Sequence, residues 1–128
     1  MPKKILEKLN VSDKELTIED LDFTKLEGLV PVITQDLESG IVLMMAYANS
    51  YALQKTQETG FAHYWSRSRK KLWKKGETSG NLQKIVEVLV DCDRDTLIYK
   101  VHQTGPSCHT GESNCFFKRL IAKKDKLQ

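Results

Sequence analysis

Two β-rich runs joined by an acidic connection form the segment Lys84-Ile-Val-Glu-Val-Leu-Val90-Asp-Cys-Asp-Arg-Asp95-Thr-Leu-Ile-Tyr-Lys-Val101. β-Branched residues and tyrosine, which favour strands, are frequent in residues 84–90 and 96–101. The aspartates between the two runs are typical of a turn. The segment therefore predicts two strands separated by a charged turn, in a fold built on a sheet.

A β-hairpin is predicted upstream of this segment. Its strands are the runs Leu29-Val-Pro-Val-Ile-Thr34 and Ile41-Val-Leu-Met-Met-Ala46, which flank the turn-forming Leu37-Glu-Ser-Gly40. Because proline has no N–H to donate, Pro31 predicts that the first strand lies at a sheet edge or contains a bulge.

One helix and two further strands complete the predicted elements. Asn49 or Ser50 can cap a helix that runs to about Glu58, and Gly60 is suited to end it in a left-handed conformation. The further strands are predicted at residues 61–65 and 115–121. Because strands and helices do not alternate regularly, the predicted fold class is α+β and sheet-dominated, with short helices packed on mixed or antiparallel strands.

A chain of 128 residues is long enough for one core, so a single domain is predicted over residues 21–121. Residues 1–20 are an N-terminal extension, in which Ser12-Asp-Lys-Glu15 predicts a capped short helix, and residues 122–128 are a basic tail. No apolar run approaches the ~18 residues of a membrane span, and the N-terminus lacks the apolar core of a secretory signal. A cytoplasmic protein without a membrane partner is therefore expected.

The chain contains three cysteines, Cys92, Cys108 and Cys115, an odd number that cannot close completely into intramolecular disulfides. Thiolates bind zinc strongly, and catalytic zinc sites typically use three protein ligands and keep a fourth position for water. No C-x-x-C pair is present, so the alternative that each cysteine is a small buried apolar residue stays open. The favoured prediction is that all three are zinc ligands.

Cys92 lies among three carboxylates, those of Asp91, Asp93 and Asp95. Carboxylates at alternate positions repel one another unless a cation neutralises them, and magnesium prefers oxygen ligands. A straight strand would separate the first and last Cα atoms by about 13 Å, so a shared ion requires the chain to turn near Arg94. An exposed hairpin turn without an ion is the alternative, and manganese or calcium could occupy the same oxygens.

The turn-rich stretch Gly105-Pro-Ser-Cys-His-Thr-Gly-Glu-Ser-Asn-Cys115 places a histidine beside two of the thiols. Imidazole titrates near neutral pH, so His109 is predicted to transfer a proton to or from a zinc-activated water, whose pKa would be lowered toward 7. His63 and His102 are interpreted as structural or surface residues.

A basic and aromatic stretch is predicted to bind a base and its phosphates. Trp65-Ser-Arg67-Ser-Arg69 combines an aromatic surface with two guanidinium groups, and Lys75-Gly-Glu-Thr-Ser-Gly80-Asn81 has backbone N–H groups that could surround an anion. A solvated basic face is the alternative for the charged residues, and at least one of Trp65 and Trp73 is expected to lie in the core. The predicted substrate-binding residues are Trp65, Arg67, Arg69, Glu77, Ser79 and Gly80.

Four motifs occur in order along the chain: Tyr64-Trp-Ser-Arg-Ser-Arg69, Leu72-Trp-Lys-Lys-Gly-Glu-Thr-Ser-Gly-Asn81, Asp91-Cys-Asp-Arg-Asp95 and Gly105-Pro-Ser-Cys-His-Thr-Gly111. Their order and spacing closely resemble those of the phosphoribosyl-AMP cyclohydrolase family of histidine biosynthesis. The likeness extends from about Leu21 to Phe117 and covers most of the chain.

This resemblance implies hydrolytic opening of the adenine ring of N1-(5-phosphoribosyl)-AMP between N1 and C6, which gives the formimino-carboxamide ribonucleotide. It implies zinc at the three cysteines, proton transfer by His109, and magnesium at the three aspartates to hold or orient the substrate. It also implies an intertwined homodimer in which Cys92 of one subunit meets Cys108 and Cys115 of the other.

Two other functional classes fit parts of the sequence less well. A nucleic-acid-binding zinc module would use the basic residues between Arg67 and Lys75, but three aspartates beside a zinc ligand would repel a polyanion, and the net charge is only +3. A structural zinc protein would close its site with a fourth ligand, such as His109. No nucleic-acid partner is therefore expected.

Overall fold

The computed structural model describes residues 14–122 of the chain. The predicted capping box at Ser12 and Asp13, most of the predicted extension and residues 123–128 of the predicted tail lie outside the described residues. Between residues 14 and 122, no helix is both long and apolar enough to cross a membrane. A 3-10 turn at Ile18–Asp20 opens the described part, and Ile18 packs against the core. The predicted boundary at residue 21 stays a prediction.

The described residues form six strands and one α-helix: β1 (Val30–Asp36), β2 (Val42–Ala48), α1 (Ser50–Thr59), β3 (His63–Ser66), β4 (Lys71–Lys74), β5 (Gln83–Val90) and β6 (Leu97–Gln103). The larger sheet has the order β2-β1-β6-β5, with β1 and β6 parallel and the other pairs antiparallel. The second sheet is the antiparallel hairpin of β3 and β4. The predicted sheet-dominated α+β class with mixed strands is confirmed.

The β1–β2 hairpin has the predicted turn. The N–H groups of Ser39 and Gly40 donate to the Asp36 carboxylate and carbonyl, at 2.9 Å each, and Gly40 takes the positive φ of 76° that closes the turn. β1 lies inside the sheet, so the edge position is the wrong one of the two alternatives predicted from Pro31. The strand does contain an irregularity in its pairing with β2, but at Thr34 and Gln35 rather than at Pro31. Pro31 precedes Val32, where pairing with β6 begins, so its missing N–H breaks no hydrogen bond of that ladder.

The helix α1 begins and ends as predicted. The side chain of Asn49 accepts the N–H of Ala52 at 2.8 Å, and Gly60 ends the helix with a φ of 79°. One face of α1, with Ala52, Leu53 and Thr56, is buried. The helix covers a core that also contains Val30, Val32, Tyr64, Leu97, Tyr99 and Val101.

Two predicted strands differ from the structure. The strand predicted at residues 61–65 begins only at His63, and Phe61 makes an isolated bridge to Lys84. Residues 115–121 form no strand, so that prediction is wrong. Their β-favouring residues lack a partner edge in the described part of the chain, and Phe116 and Leu120 are 60% and 99% exposed.

The sequence does not predict the strand β4, because the lysines of this segment are typical of an exposed basic loop. Its inner residue Trp73 instead packs on Tyr64, with ring centroids 4.8 Å apart, while its lysines lie at the strand ends. Trp73 is half-buried and packs against the core without belonging to its fully buried part, so the prediction of a core tryptophan is met in part.

Candidate active site

The aspartate cluster, defined as Asp91, Asp93 and Asp95, lies in the connection between β5 and β6. Arg94 has a positive φ of 61°, which confirms the predicted turn at this residue. The Asp91 carboxylate accepts the N–H groups of Asp95 and Thr96 at 3.0 and 3.2 Å and so stabilises the turn. As a result, each aspartate offers one oxygen within 4.8 Å of the others, a spacing that one divalent cation can bridge.

Lys25 was not identified from the sequence, where nothing distinguishes it from other surface lysines. Its Nζ lies 2.7 Å from Asp95 Oδ2, and this hydrogen bond is the main reason that the pKa of Asp95 is lowered. The Asp22 N–H also donates to the Arg94 carbonyl at 2.7 Å. The segment before β1 therefore supports the acidic turn and keeps Asp95 ionised.

The thiol loop, defined as residues 104–115, follows β6 and brings two thiols together. The N–H groups of Ser107 and Cys108 donate to Ser113 and Glu112 carbonyls at 3.3 and 3.1 Å, which closes the loop on itself. The Cys115 N–H donates to the Leu43 carbonyl at 2.7 Å and attaches the loop to β2. This folding brings the Cys115 thiol close enough to the Cys108 thiol for each to affect the pKa of the other.

The two paired thiols differ in their electrostatics. Thr110 Oγ1 donates to Cys108 Sγ at 3.0 Å, and this bond lowers the pKa of Cys108. Burial, followed by the contact with Cys108, raises the pKa of Cys115. Cys108 is therefore the more easily deprotonated of the two thiols, and a soft cation can bind both sulfur atoms once the thiols have lost their protons.

Cys92 lies away from this pair. It follows β5 at one edge of the large sheet, whereas Cys115 is bonded to β2 at the opposite edge, and three strand spacings amount to about 14 Å. Among residues 14–122, the aspartate cluster is the one group of three or more His, Cys, Asp or Glu residues whose ligand atoms converge. A single chain therefore does not bring the three cysteines together.

The histidines occupy different environments. His109 is exposed beside the buried Cys108. His63 is buried with its Nδ1 2.8 Å from the Phe61 carbonyl oxygen, and exposed His102 lies 3.4 Å from the Glu38 carboxylate. His63 and His102 have the structural and surface positions predicted for them, and His109 is the histidine that adjoins the thiols.

The predicted substrate-binding residues lie around two cavities beside the β3–β4 hairpin. Trp65 and Arg67 line one of about 690 Å³, where the guanidinium carbon of Arg67 lies 4.0 Å from the centre of the Tyr47 ring. Arg69, Glu77 and Ser79 line the other, of about 440 Å³. The sequence did not indicate Tyr47, whose place beside Arg67 depends on the contact between β2 and β3.

The glycine loop, defined as residues 75–82, joins β4 to β5. Several of its N–H groups already have partners: that of Glu77 donates to the Lys74 carbonyl of β4, those of Gly80 and Leu82 donate to carbonyls within the loop, and that of Asn81 donates to Ser79 Oγ at 3.2 Å. Gly80 lies next to the residues that line the smaller cavity. The N–H groups that already have partners are not available to an anion. An anion at this loop would therefore be bound mainly by side chains and neighbouring cations.

Comparison with known proteins gives one consistent family. Residues 44–117 match the sequence profile of the family described as Phosphoribosyl-AMP cyclohydrolase. A protein of that name from Archaeoglobus fulgidus is 64% identical over 94 residues, which cover 73% of this chain and 87% of that protein. Another, from Cenarchaeum symbiosum, is 53% identical over 107 residues, or 84% of this chain and 99% of that protein.

A longer relative matches through part of its length. The Histidine biosynthesis bifunctional protein HisIE of Aquifex aeolicus is 63% identical over 99 residues, which cover 77% of this chain and 48% of that protein. All of the predicted metal, proton-transfer and substrate-binding residues, from Trp65 to Cys115, fall within the stretch that the family profile matches.

Proposed function

Because this chain belongs to the phosphoribosyl-AMP cyclohydrolase family, we propose that it catalyses hydrolytic opening of the adenine ring of N1-(5-phosphoribosyl)-AMP in histidine biosynthesis. The observation that carries this proposal is the similarity to the Archaeoglobus fulgidus phosphoribosyl-AMP cyclohydrolase: the two sequences are 64% identical over a stretch that covers 87% of that protein. In the proposed reaction, water adds to C6, the C6–N1 bond breaks, and N1 receives a proton.

A zinc ion bound by Cys92, Cys108 and Cys115 is part of the proposal. The donor set fits zinc, because the thiol loop places two cysteines near each other and zinc binds sulfur ligands strongly. Ser107 Oγ is buried next to Cys108 without a hydrogen-bond partner in residues 14–122, so the local structure leaves one polar group for a further ligand or water. When bound, zinc would supply the Lewis acidity that activates water near neutral pH.

Two subunits are proposed to supply this ligand set. The separation of Cys92 from the other two thiols supports a homodimer in which one subunit supplies Cys92 and its partner supplies Cys108 and Cys115. Cys92 lines a surface groove with Val88 and Leu89, which are 38% and 39% exposed on the edge strand β5. Exposed apolar side chains around a potential ligand fit a surface that a second copy covers.

A magnesium ion is proposed at the aspartate cluster. Its three oxygens are close enough for one cation and match the hard ligands that magnesium binds. Lys25 neutralises part of the negative charge at Asp95 and adjoins the cavity that contains Trp65 and Arg67. This link supports a role for the cluster in orienting the substrate rather than in activating water.

The chain's own residues are proposed to bind the substrate and move the proton. Trp65 offers a stacking surface for the base, and Arg67 and Arg69 lie in separate cavities that suit two separate phosphates. Glu77, Ser79 and Gly80 would form the wall beside the second phosphate. The exposed imidazole of His109 is proposed to accept a proton as the O–C6 bond forms and to deliver it to N1.

Turnover of phosphoribosyl-AMP by the purified protein, followed spectrophotometrically, tests the proposal. The assay is run before and after treatment with a zinc chelator, with zinc and magnesium restored separately. We expect activity to disappear on chelation and to return with metal. Absence of turnover by folded, zinc-loaded dimer would refute the proposed reaction and favour a structural zinc protein.

A further inference from the structure

The glycine loop leads into β5 and the thiol loop leaves β6, and because these strands are paired in the larger sheet the two loops contact each other closely. Thr104 N–H donates to the Leu82 carbonyl at 2.9 Å, and Gln103 Nε2 donates to the Asn81 carbonyl at 3.2 Å. Gly105 packs so tightly that a Cβ atom there would collide with the Asn81 side chain. These contacts connect the wall of the smaller cavity with the loop that carries Cys108 and Cys115.

Lys75 spans this junction with its side chain. It follows β4, and its backbone N–H donates to the Ala62 carbonyl at 3.1 Å, which holds the start of the side chain in place. The part-buried ammonium donates a short hydrogen bond to the carbonyl of Ser107, the residue before Cys108. A charged donor from the glycine loop thus holds the thiol loop at Ser107.

The surroundings of Lys75 argue against an ordinary surface ion pair. Within residues 14–122, no carboxylate lies within 4.0 Å of its ammonium, whereas Lys25 and Lys55 both have such partners. A part-buried cation without a counter-ion is costly unless nearby groups stabilise it. Here the ammonium is stabilised by the Ser107 carbonyl, one residue before Cys108 of the proposed zinc site.

We infer that Lys75 is a positioning residue, which holds Ser107 and thereby fixes Cys108 and Cys115 at the geometry that binds metal. This inference rests on the proposed function, since it gives Lys75 a role at the same site. Groups that orient metal ligands commonly change metal affinity 10- to 100-fold when they are removed. Lys75 would also couple the substrate-binding wall to the metal-binding loop, because both loops share this contact.

Cobalt binding tests the inference without relying on turnover. Co²⁺ bound to thiolates gives an absorption band that reports both occupancy and ligand geometry, so the metal-free dimer is titrated with Co²⁺. We compare the wild type with Lys75→Met, which removes the ammonium, and with Lys75→Arg, which keeps a charged donor. Lys84→Met is the matched control, because Lys84 is exposed on β5 and its loss changes the net charge equally.

We expect Lys75→Met to bind Co²⁺ about tenfold or more weakly and with a shifted band, and Lys75→Arg to restore most of the affinity. Lys84→Met should behave as the wild type. Amide hydrogen exchange of the metal-free proteins adds a second readout: Ser107 and Cys108 should exchange faster in Lys75→Met, because the hydrogen bonds that close the thiol loop open more often. If Lys75→Met does not fold, the neutral and shorter Lys75→Gln replaces it.

Wild-type affinity, band and exchange in Lys75→Met would overturn the inference. A raised KM with unchanged cobalt affinity would overturn it as well, since Lys75 would then contact a substrate phosphate. Failure of the wild type itself to bind Co²⁺ through thiolates would instead refute the proposed zinc site. The two failures are therefore distinguishable.

Discussion

His109 and Cys108 are neighbours in the chain, but the thiol is buried and the imidazole is exposed. A group that exchanges protons with water and substrate must be accessible, whereas a metal ligand benefits from a fixed, partly desolvated position. This difference supports proton transfer by the histidine more than metal binding.

Replacement of His109 by Ala is expected to lower kcat by about 10²- to 10⁴-fold, the usual contribution of a positioned acid or base, and to leave the zinc content unchanged. Steady-state kinetics and metal analysis of the same preparation measure both quantities. His102→Ala is the matched control, because His102 is an exposed histidine beside Glu38. Loss of zinc from His109→Ala would identify His109 as a ligand instead.

Tyr99 gives a pH-dependent prediction. It is fully buried, and burial raises its pKa from 10.0 to about 12. The folded state therefore resists ionisation that the unfolded chain undergoes, so this contribution to stability is complete below pH 10 and is lost as the pH rises from 10 toward 12. The loss amounts to about 3 kcal/mol for a shift of this size.

Urea unfolding between pH 8 and 12 measures this effect. The free energy of unfolding should decline less steeply with pH in Tyr99→Phe than in the wild type, although some decline remains because buried Tyr64 also has a raised pKa. Tyr51→Phe serves as the control, since Tyr51 is 47% exposed. Parallel curves for Tyr99→Phe and the wild type would contradict the prediction.

At the scale of elements, the β3–β4 hairpin separates the two arginines that the sequence places close together. Arg67 lies over Tyr47 of β2, and Arg69 lies beside the glycine loop. Their spacing indicated a basic surface, but the pairing of β3 with β4 and the contact of β3 with β2 determine which cavity each one lines.

The glycine loop allows a comparison of two glycines with nearly equal backbone angles. Gly76 and Gly80 have φ values of 81° and 82°, but a Cβ atom at Gly76 would collide with the Asn81 backbone, whereas one at Gly80 would meet no atom within 4 Å. Gly80→Ala should therefore lower the free energy of unfolding by about 1–2 kcal/mol, the cost of a left-handed conformation for a residue with a Cβ atom. Gly76→Ala should cost about 3 kcal/mol or more, because steric overlap adds to that strain.

Chemical denaturation of the two variants measures this difference, with the slope of the free energy against denaturant as a check on two-state unfolding. Equal destabilisation would indicate that the loop can move Asn81 away without cost. Such an outcome would also weaken the view of a rigid junction between the glycine loop and the thiol loop.

At the scale of the whole molecule, the proposed zinc site takes its cysteine ligands from two subunits. If Cys92 acts across a dimer interface, Cys92→Ser and Cys108→Ser homodimers each lack a complete site. A heterodimer of the two contains one intact site, built from Cys92 of the Cys108→Ser subunit and both thiols of its partner. Random reassociation in equal amounts should then restore about a quarter of wild-type activity and of tight zinc binding.

Refolding the two variants separately and together, followed by turnover and zinc measurements, tests this prediction. A mixture of Cys108→Ser with Cys115→Ser is the matched control, because both lesions fall on the same side of the proposed interface and no complete site can form. Zinc-loaded, active monomer in sedimentation would contradict the shared site.

The sequence by itself determined the local features. Asn49 and Gly60 delimit the helix, residues 37–40 form the hairpin turn, and the four motifs identify the family. Capping, turn chemistry and motif spacing can be recognised locally because they act over a few residues. It failed for residues 115–121 and for β4, since a strand requires a partner whose position depends on the rest of the fold.

Only the tertiary structure decided how distant residues meet. Lys25 reaches Asp95 and Lys75 reaches Ser107 across long stretches of chain, and such contacts follow from strand order and loop packing rather than from local sequence. The same strand order places Cys92 and Cys115 at opposite edges of one sheet. Residue types therefore indicated which chemistry the chain can perform, and the packing of the sheet determined which groups can act together within one subunit.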